Sequence, residues 1–170
     1  VFDDVSGLPV DGAIVTLVNA DTGLFAVVAC YDGINASPNP MVSGSSFEQC
    51  GEVVLPPGGY SFPLLLPGNY VLRVEPPSGY SFPSVVPTDS VPAGFNIFGS
   101  PGTGASFGTT FLISLGAAPL RIDIPVDQLG GNLQITKSAD KSVVGKGEYT
   151  PYTLTIRNTG TTTVAQNVQI

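Results

Sequence analysis

The clearest strand pattern in the chain lies at residues 69–75, where apolar and polar side chains alternate. Tyr70, Leu72 and Val74 fall on one side of an extended segment, and Arg73 falls on the other. A period of two predicts a strand with one buried face. Pro-Gly-Asn begins this strand and Pro-Pro-Ser-Gly ends it, because proline and glycine favour turns. We predict that it is the central strand of an all-β unit.

Short runs of β-forming residues separated by turn formers recur through the first two thirds of the chain. They predict strands at 13–18, 24–30, 52–55, 60–66, 109–115 and 119–126. Two similar octapeptides, PPGGYSFP and PPSGYSFP, are interpreted as matching turns beside adjacent strands.

Two other segments of this region lack a strand pattern. Residues 31–49 are rich in Gly, Ser, Asn and Pro, and they predict a surface loop. Phe95, Phe98 and Phe107 lie in a Pro- and Gly-rich segment, where we expect them to cover the core or a neighbouring subunit.

The alternation restarts after a joint predicted at 127–132. Strands are predicted at 133–137 and 149–158, and a last one begins at 164. We therefore predict two domains, residues 1–128 and 129–170. The fold class is all-β, as tandem Greek-key or Ig-like β-sandwich modules.

Charge differs between the two predicted domains. Residues 1–128 carry eleven acidic residues against Arg73 and Arg121, a net charge of −9, whereas residues 129–170 carry +2. An acidic chain without a basic stripe is a poor partner for nucleic acid. The opposite signs either favour head-to-tail contact between modules or belong to solvated faces. No apolar run is long enough to span a membrane.

Two cysteines flank the unpatterned loop. Cys30 and Cys50 predict a disulfide that closes it, and hence an oxidising compartment, although two buried free thiols are the alternative. Asn35 lies in an Asn-Ala-Ser triplet, which is an acceptor pattern for glycosylation.

Four motifs in the first domain point to a known family. They are Val1-Phe2-x-Asp4, Pro9-Val10-x-Gly12-Ala13-x-Val15-Thr16-Leu17, Pro67-Gly68-x-Tyr70-x-Leu72 and Glu75-x-Pro77-x-Gly79-Tyr80. Taken together they resemble the prealbumin-like B modules of bacterial surface adhesins, which are similar to carboxypeptidase regulatory-like domains. The resemblance covers roughly residues 1–90 and implies a small Greek-key sandwich.

The second domain carries its own pattern. It comprises Leu133-x-Ile135-x-Lys137-x-Ala139-Asp140, Gly147-Glu148-x-x-x-Tyr152-x-Leu154-x-Ile156-x-Asn158-x-Gly160 and Asn167-Val168. This pattern is similar to an Ig-like conserved repeat of unknown function that occurs in tandem in bacterial and archaeal surface proteins. The resemblance implies that the repeat is incomplete within these residues. Either neighbouring repeats or strands from other subunits would complete it.

The adhesin resemblance also raises two kinds of site. Related modules bind calcium, and Asp3, Asp4 and Asp11 are candidate oxygen ligands, although turn-forming, solvated aspartates are the alternative. Some modules of this type carry a Lys–Asn or Lys–Asp isopeptide bond assisted by a glutamate. Glu75 matches the glutamate, but residues 1–128 contain no lysine, so the bond is excluded there.

The sequence gives no support for catalysis. Without histidine there is no Ser-His-Asp or Cys-His arrangement and no convincing zinc site. We expect a structural component of a prokaryotic extracellular filament, stalk or sheath, whose partners are copies of itself or adjacent repeats. The alternative is a cell-surface adhesin module that binds a host protein or a carbohydrate.

Overall fold

The computed structural model describes residues 1–129, 133–139, 145–147 and 149–158. The fold is all-β, as predicted, and the helical residues within these ranges form two short 3₁₀ turns, Thr88–Ser90 and Ala105–Phe107. The chain divides into two compact units, Val1–Gln128 and Leu129–Ile170. Each is described separately.

Unit 1 contains nine strands among the described residues. They are β1 (Phe2–Asp3), β2 (Ile14–Asn19), β3 (Met41–Val42), β4 (Ser46–Phe47), β5 (Val53–Val54), β6 (Gly68–Glu75), β7 (Tyr80–Ser81), β8 (Phe111–Ile113) and β9 (Pro125–Gln128). One sheet has the order β3-β2-β6-β8 and the other β1-β9-β7, while β4 and β5 form a small hairpin. In the second sheet β1 runs parallel to β9.

The core of unit 1 lies between these two sheets. Leu17 of β2 is paired with Leu72 of β6, and both side chains are almost fully buried. Val126 of β9, and Ile124 just before that strand, join them from the opposite side of the core. Each such side chain contributes about 2 kcal/mol by leaving water. The central strand predicted at 69–75 is therefore confirmed as β6, and its alternation faces Tyr70 and Leu72 into the core.

Five predicted strands of unit 1 are wrong or too long. Those predicted at 52–55 and 109–115 are present only as the shorter β5 and β8. Residues 24–30 alternate in burial but make only isolated bridges, such as Ala29 with Leu64. Residues 60–66 form no strand, because Pro63 removes a backbone donor from the middle of the run. The run predicted at 119–126 is irregular up to Ile124, and only β9 is a strand.

Two further predictions need correction. The segment 31–49 is not wholly a loop, because β3 joins β2 along the edge of the sheet and buries Met41. The predicted joint at 127–132 begins too early, since β9 continues to Gln128 and Asp127 is buried.

Unit 2 is described as an antiparallel pair of strands, β10 (Leu133–Ala139) and β11 (Tyr152–Asn158). Strands were predicted in both places, with somewhat different bounds. Lys137 lies opposite Leu154, and its ammonium group is 4.1 Å from the centre of the Tyr152 ring. This cation–π contact contributes about 0.5–1 kcal/mol at an exposed site. The strand predicted from residue 164 lies outside the described residues.

Candidate binding groove

An apolar groove of about 780 Å³ opens into the core of unit 1. The buried side chains Leu17 and Leu72 line its depth. One wall is the irregular segment 56–67, and the other is β8 with the segment 114–123 that follows it. Volumes of this size are typical of sites that take small ligands or extended peptide segments.

Aromatic side chains border much of the groove. The rings of Phe2 and Phe95 stack with their centroids 3.6 Å apart and their planes 6° apart. Tyr60 and Phe62 meet at 6.0 Å in a tilted arrangement. Tyr31, at the start of the disulfide loop, also lines the groove and is 76% exposed. The groove and the loop are therefore continuous at one point of the surface.

Strand β8 leaves an unpaired edge beside this groove. It is the last strand of its sheet among the described residues. Asn69 opposes Leu112, and its carbonyl accepts a hydrogen bond from Ala20, on the β2 side. Because the N–H and C=O of one strand residue point to the same side, the Leu112–Asn69 pair is the non-hydrogen-bonded kind. The backbone groups of Leu112 therefore point outward, and its side chain is 64% exposed.

Three polar side chains of the groove, those of Tyr60, Arg121 and Asp123, are paired within the protein. The Tyr60 hydroxyl donates to the Ile122 carbonyl at 2.7 Å, and burial, followed by the charge of Asp123, raises its pKa. The Arg121 guanidinium lies 3.0 Å from the Asp123 carboxylate, which also accepts from the Asn96 amide. These groups are suited to orienting a ligand, and none forms a nucleophile–base pair.

The predicted disulfide is present. Cys30 and Cys50 are bonded, with Cα atoms 5.2 Å apart, and they close a loop of 20 residues. A disulfide is compatible with an extracellular or otherwise oxidising location. Within the described part of the chain, no helix is long and apolar enough to cross a membrane.

The three aspartates considered for calcium do not come together as one ligand set. The Asp3 carboxylate accepts from the amide and the hydroxyl of Ser6, both at 2.7 Å. The Asp11 carboxylate accepts from the Gly58 amide at 2.6 Å. Asp4 is buried with neither oxygen bonded. No group of three or more potential metal ligands occurs within the described ranges.

Asn35 is exposed at the tip of the disulfide loop. Its amide nitrogen donates to the Asp32 carboxylate at 2.7 Å. Three hydrogen bonds, from the backbone of Ile34 and from the backbone and side chain of Asn35, lower the pKa of Asp32. Ser37, the third residue of the acceptor triplet, is buried.

The aromatic segment 84–108 has mixed roles. Phe107 is buried, as expected of core packing, and Phe95 covers Phe2. Phe98 remains 38% exposed.

Sequence reasoning missed the groove and the burial of Asp127. The first PPGGYSFP octapeptide supplies Tyr60 and Phe62 to one wall. Three prolines in 56–63 mark a segment that cannot pair along its length. These prolines were the feature of the sequence that could have indicated an irregular segment bordering a groove, and not a strand.

Comparisons of this chain with protein-family models, with curated proteins and with solved structures found no match. The two family resemblances therefore stay predictions.

Proposed function

We propose that this chain is part of a structural component of a prokaryotic extracellular filament, stalk or sheath. Its β-sandwich modules would join by strand addition, with an extended apolar strand from a neighbouring copy or repeat as the partner. The two family resemblances, to adhesin B modules and to an Ig-like surface repeat, agree with this role.

The observation that carries the proposal is the outward edge of β8 beside a groove that opens into the core. An added strand would find the backbone groups of Leu112 on one side. Its alternate side chains would reach the groove, whose depth is lined by Leu17 and Leu72. Backbone bonds and alternate side-chain pockets are the two requirements of strand addition.

The experiment compares two substitutions of Leu112 on that edge, one that removes the backbone donor and one that keeps it. Leu112→Pro removes the outward N–H without removing a bond to β6, whereas Leu112→Ala keeps the N–H and removes the exposed side chain. We expect the sedimentation coefficients of wild type and Leu112→Ala to increase with protein concentration as the molecules associate. Both proteins should also form fibres in electron micrographs. Leu112→Pro should remain monomeric with an unchanged circular dichroism spectrum. Equal association by all three proteins would rule out strand addition at β8.

A second candidate is an adhesin binding module for a host protein or a carbohydrate. It is favoured by the exposed Tyr31 ring at the junction of the groove and the disulfide loop. Saturable binding to a glycan array or to matrix proteins, lost in Tyr31→Ala and retained in Leu112→Pro, would favour this candidate over the filament.

A further inference from the structure

Two buried aspartates, Asp4 and Asp127, lie close enough for their charges to interact where β1 meets β9. The parallel register pairs Asp3 with Val126, which brings Asp4 level with Asp127. The Asp4 amide donates to the Val126 carbonyl at 3.1 Å, so the two backbone segments remain hydrogen-bonded at this point. Asp4 is 1% exposed and Asp127 is 3% exposed. Water therefore has little access to either group.

The hydrogen bonds around this pair leave three oxygens unused. One Asp127 oxygen, Oδ2, accepts from the Val85 amide at 2.9 Å, but Oδ1 has no partner. Neither Asp4 oxygen has a partner of proper geometry. The amides of Asp4 and Gln128 lie near enough to lower the pKa of Asp4 somewhat, but they do not meet the geometry of a hydrogen bond. A buried acceptor without a donor costs about 1–3 kcal/mol.

The other titratable groups around the pair do not offset its negative charge. Asp3, the last residue of β1, directly precedes Asp4. Tyr80 approaches from β7, and burial, followed by the charges of Asp3 and Asp4, raises its pKa. The only ion pair in the described ranges joins Arg121 to Asp123. Burial, followed by the charges of Asp127 and Asp3, raises the pKa of Asp4 to about 6. Two buried carboxylates without a cation do not both stay ionised at little cost.

One bound proton would offset both the missing hydrogen-bond donor and the excess negative charge. A protonated carboxyl is a donor, so a proton held between the two groups supplies the missing hydrogen bond and removes one charge. We infer that Asp4 and Asp127 share one proton and form an acid-stabilised latch that holds β1 against β9. The proton belongs to the pair and not to one residue.

The direction of the pH effect follows from the sign of the shift. The folded state keeps its proton to a higher pH than the unfolded chain, whose aspartates release theirs near the ordinary value of 3.8. The latch therefore contributes fully below that value, and its contribution falls as pH rises towards about 6. Above that range unit 1 folds with two adjacent negative charges.

Urea unfolding of the whole 170-residue chain at about pH 5 and about pH 7.5 tests the latch. The Val1 ammonium, whose pKa is lowered by burial to about 6, responds in the opposite direction over this range in every variant, so the latch is measured as a difference between proteins. Between the lower and the higher pH, the ratio of the wild-type unfolding constant to that of Asp4→Asn should rise about tenfold. Asp127→Asn should show the same pH response as Asp4→Asn, and the double variant should differ little from either. The matched control is Glu52→Gln, which removes one exposed acid and should leave the pH response as in wild type.

Three outcomes would overturn the latch. One is a pH response in Asp4→Asn equal to that of wild type, and another is additive effects of the two substitutions. The third is that calcium or magnesium chloride, compared with EDTA, stabilises wild type at about pH 7.5 but does not stabilise Asp4→Asn. That result would make the pair a cation site. If either variant fails to fold, carboxyl carbon NMR of wild type decides, because the latch requires a midpoint near 6 and independent aspartates titrate near 3.8.

Discussion

The side chain of Asn39 and the backbone of Leu17 exchange two hydrogen bonds. Asn39 Oδ1 accepts from the Leu17 amide at 2.9 Å, and Asn39 Nδ2 donates to the Leu17 carbonyl at 2.7 Å. The same nitrogen donates to the Ala26 carbonyl at 2.8 Å. One carboxamide thus supplies the bonds that a neighbouring strand would supply to β2. It adds to two direct backbone bonds, from the Ala26 amide to the Leu17 carbonyl and from the Asn19 amide to the Leu24 carbonyl, in holding residues 24–30 to β2.

Replacement of Asn39 by alanine should lower the free energy of unfolding by about 3 kcal/mol. The change leaves the Leu17 amide and the Ala26 carbonyl without their partner, whereas the Leu17 carbonyl keeps its bond from the Ala26 amide. Unpaired buried groups cost more than an average hydrogen bond gains. Chemical denaturation of the full chain measures the loss. Asn69→Ala is the control, because the Asn69 side chain bonds to the exposed Asp21 carboxylate, and its loss should cost less than about 0.5 kcal/mol. Equal costs for the two variants would contradict the role given to Asn39.

Removal of the Tyr60 hydroxyl tests the wall of the groove. Tyr60→Phe leaves the Ile122 carbonyl without its donor and should cost about 1–2 kcal/mol. Thermal unfolding followed by circular dichroism measures the change. Tyr31→Phe is matched in chemistry but removes an exposed hydroxyl, so a loss as large as that of Tyr60→Phe would refute this explanation.

Loss of the Cys30–Cys50 disulfide should destabilise unit 1 by about 3 kcal/mol, the value expected for a loop of 20 residues. The double substitution to serine, compared with wild type in urea, gives the difference. Reductant should shift the wild-type midpoint to that of the variant and leave the variant unchanged. Resistance of the wild-type midpoint to complete reduction, verified by intact mass, would show that the loop is held by other contacts.

Substitutions of Gly102 and Gly104 distinguish the cost of a positive φ from the cost of a steric clash. Both have positive φ, but a Cβ at Gly104 would overlap the Phe98 carbonyl oxygen, whereas a Cβ at Gly102 would meet nothing within 4 Å. We expect Gly102→Ala to cost about 1 kcal/mol from its left-handed conformation. Gly104→Ala should cost more than about 3 kcal/mol, because the backbone must also move. Unfolding midpoints measure both, and similar values would mean that the 98–104 turn rearranges at little cost.

Local alternation of apolar and polar residues located several of the strands. The alternation of Tyr70, Leu72 and Val74 predicted β6, and comparable runs predicted β2, β8 and both strands of unit 2. The cysteine pair predicted its own bond, because a loop bounded by two cysteines leaves few alternatives. Short-range patterns of this kind depend on residues near one another in sequence, and the chain alone determines them.

The groove and the carboxylate pair were decided by tertiary structure. Asp4 and Asp127 are more than a hundred positions apart, and only the parallel pairing of β1 with β9 places them together. In the same way, Asn39 replaces a strand beside β2 because the fold brings its carboxamide to Leu17. The sequence by itself determined the all-β class, the central strand and the disulfide, since these follow from local periodicity and residue chemistry. Long-range strand pairing decides which sheet edge remains unpaired and which acidic side chains are buried. Local sequence patterns do not indicate that pairing.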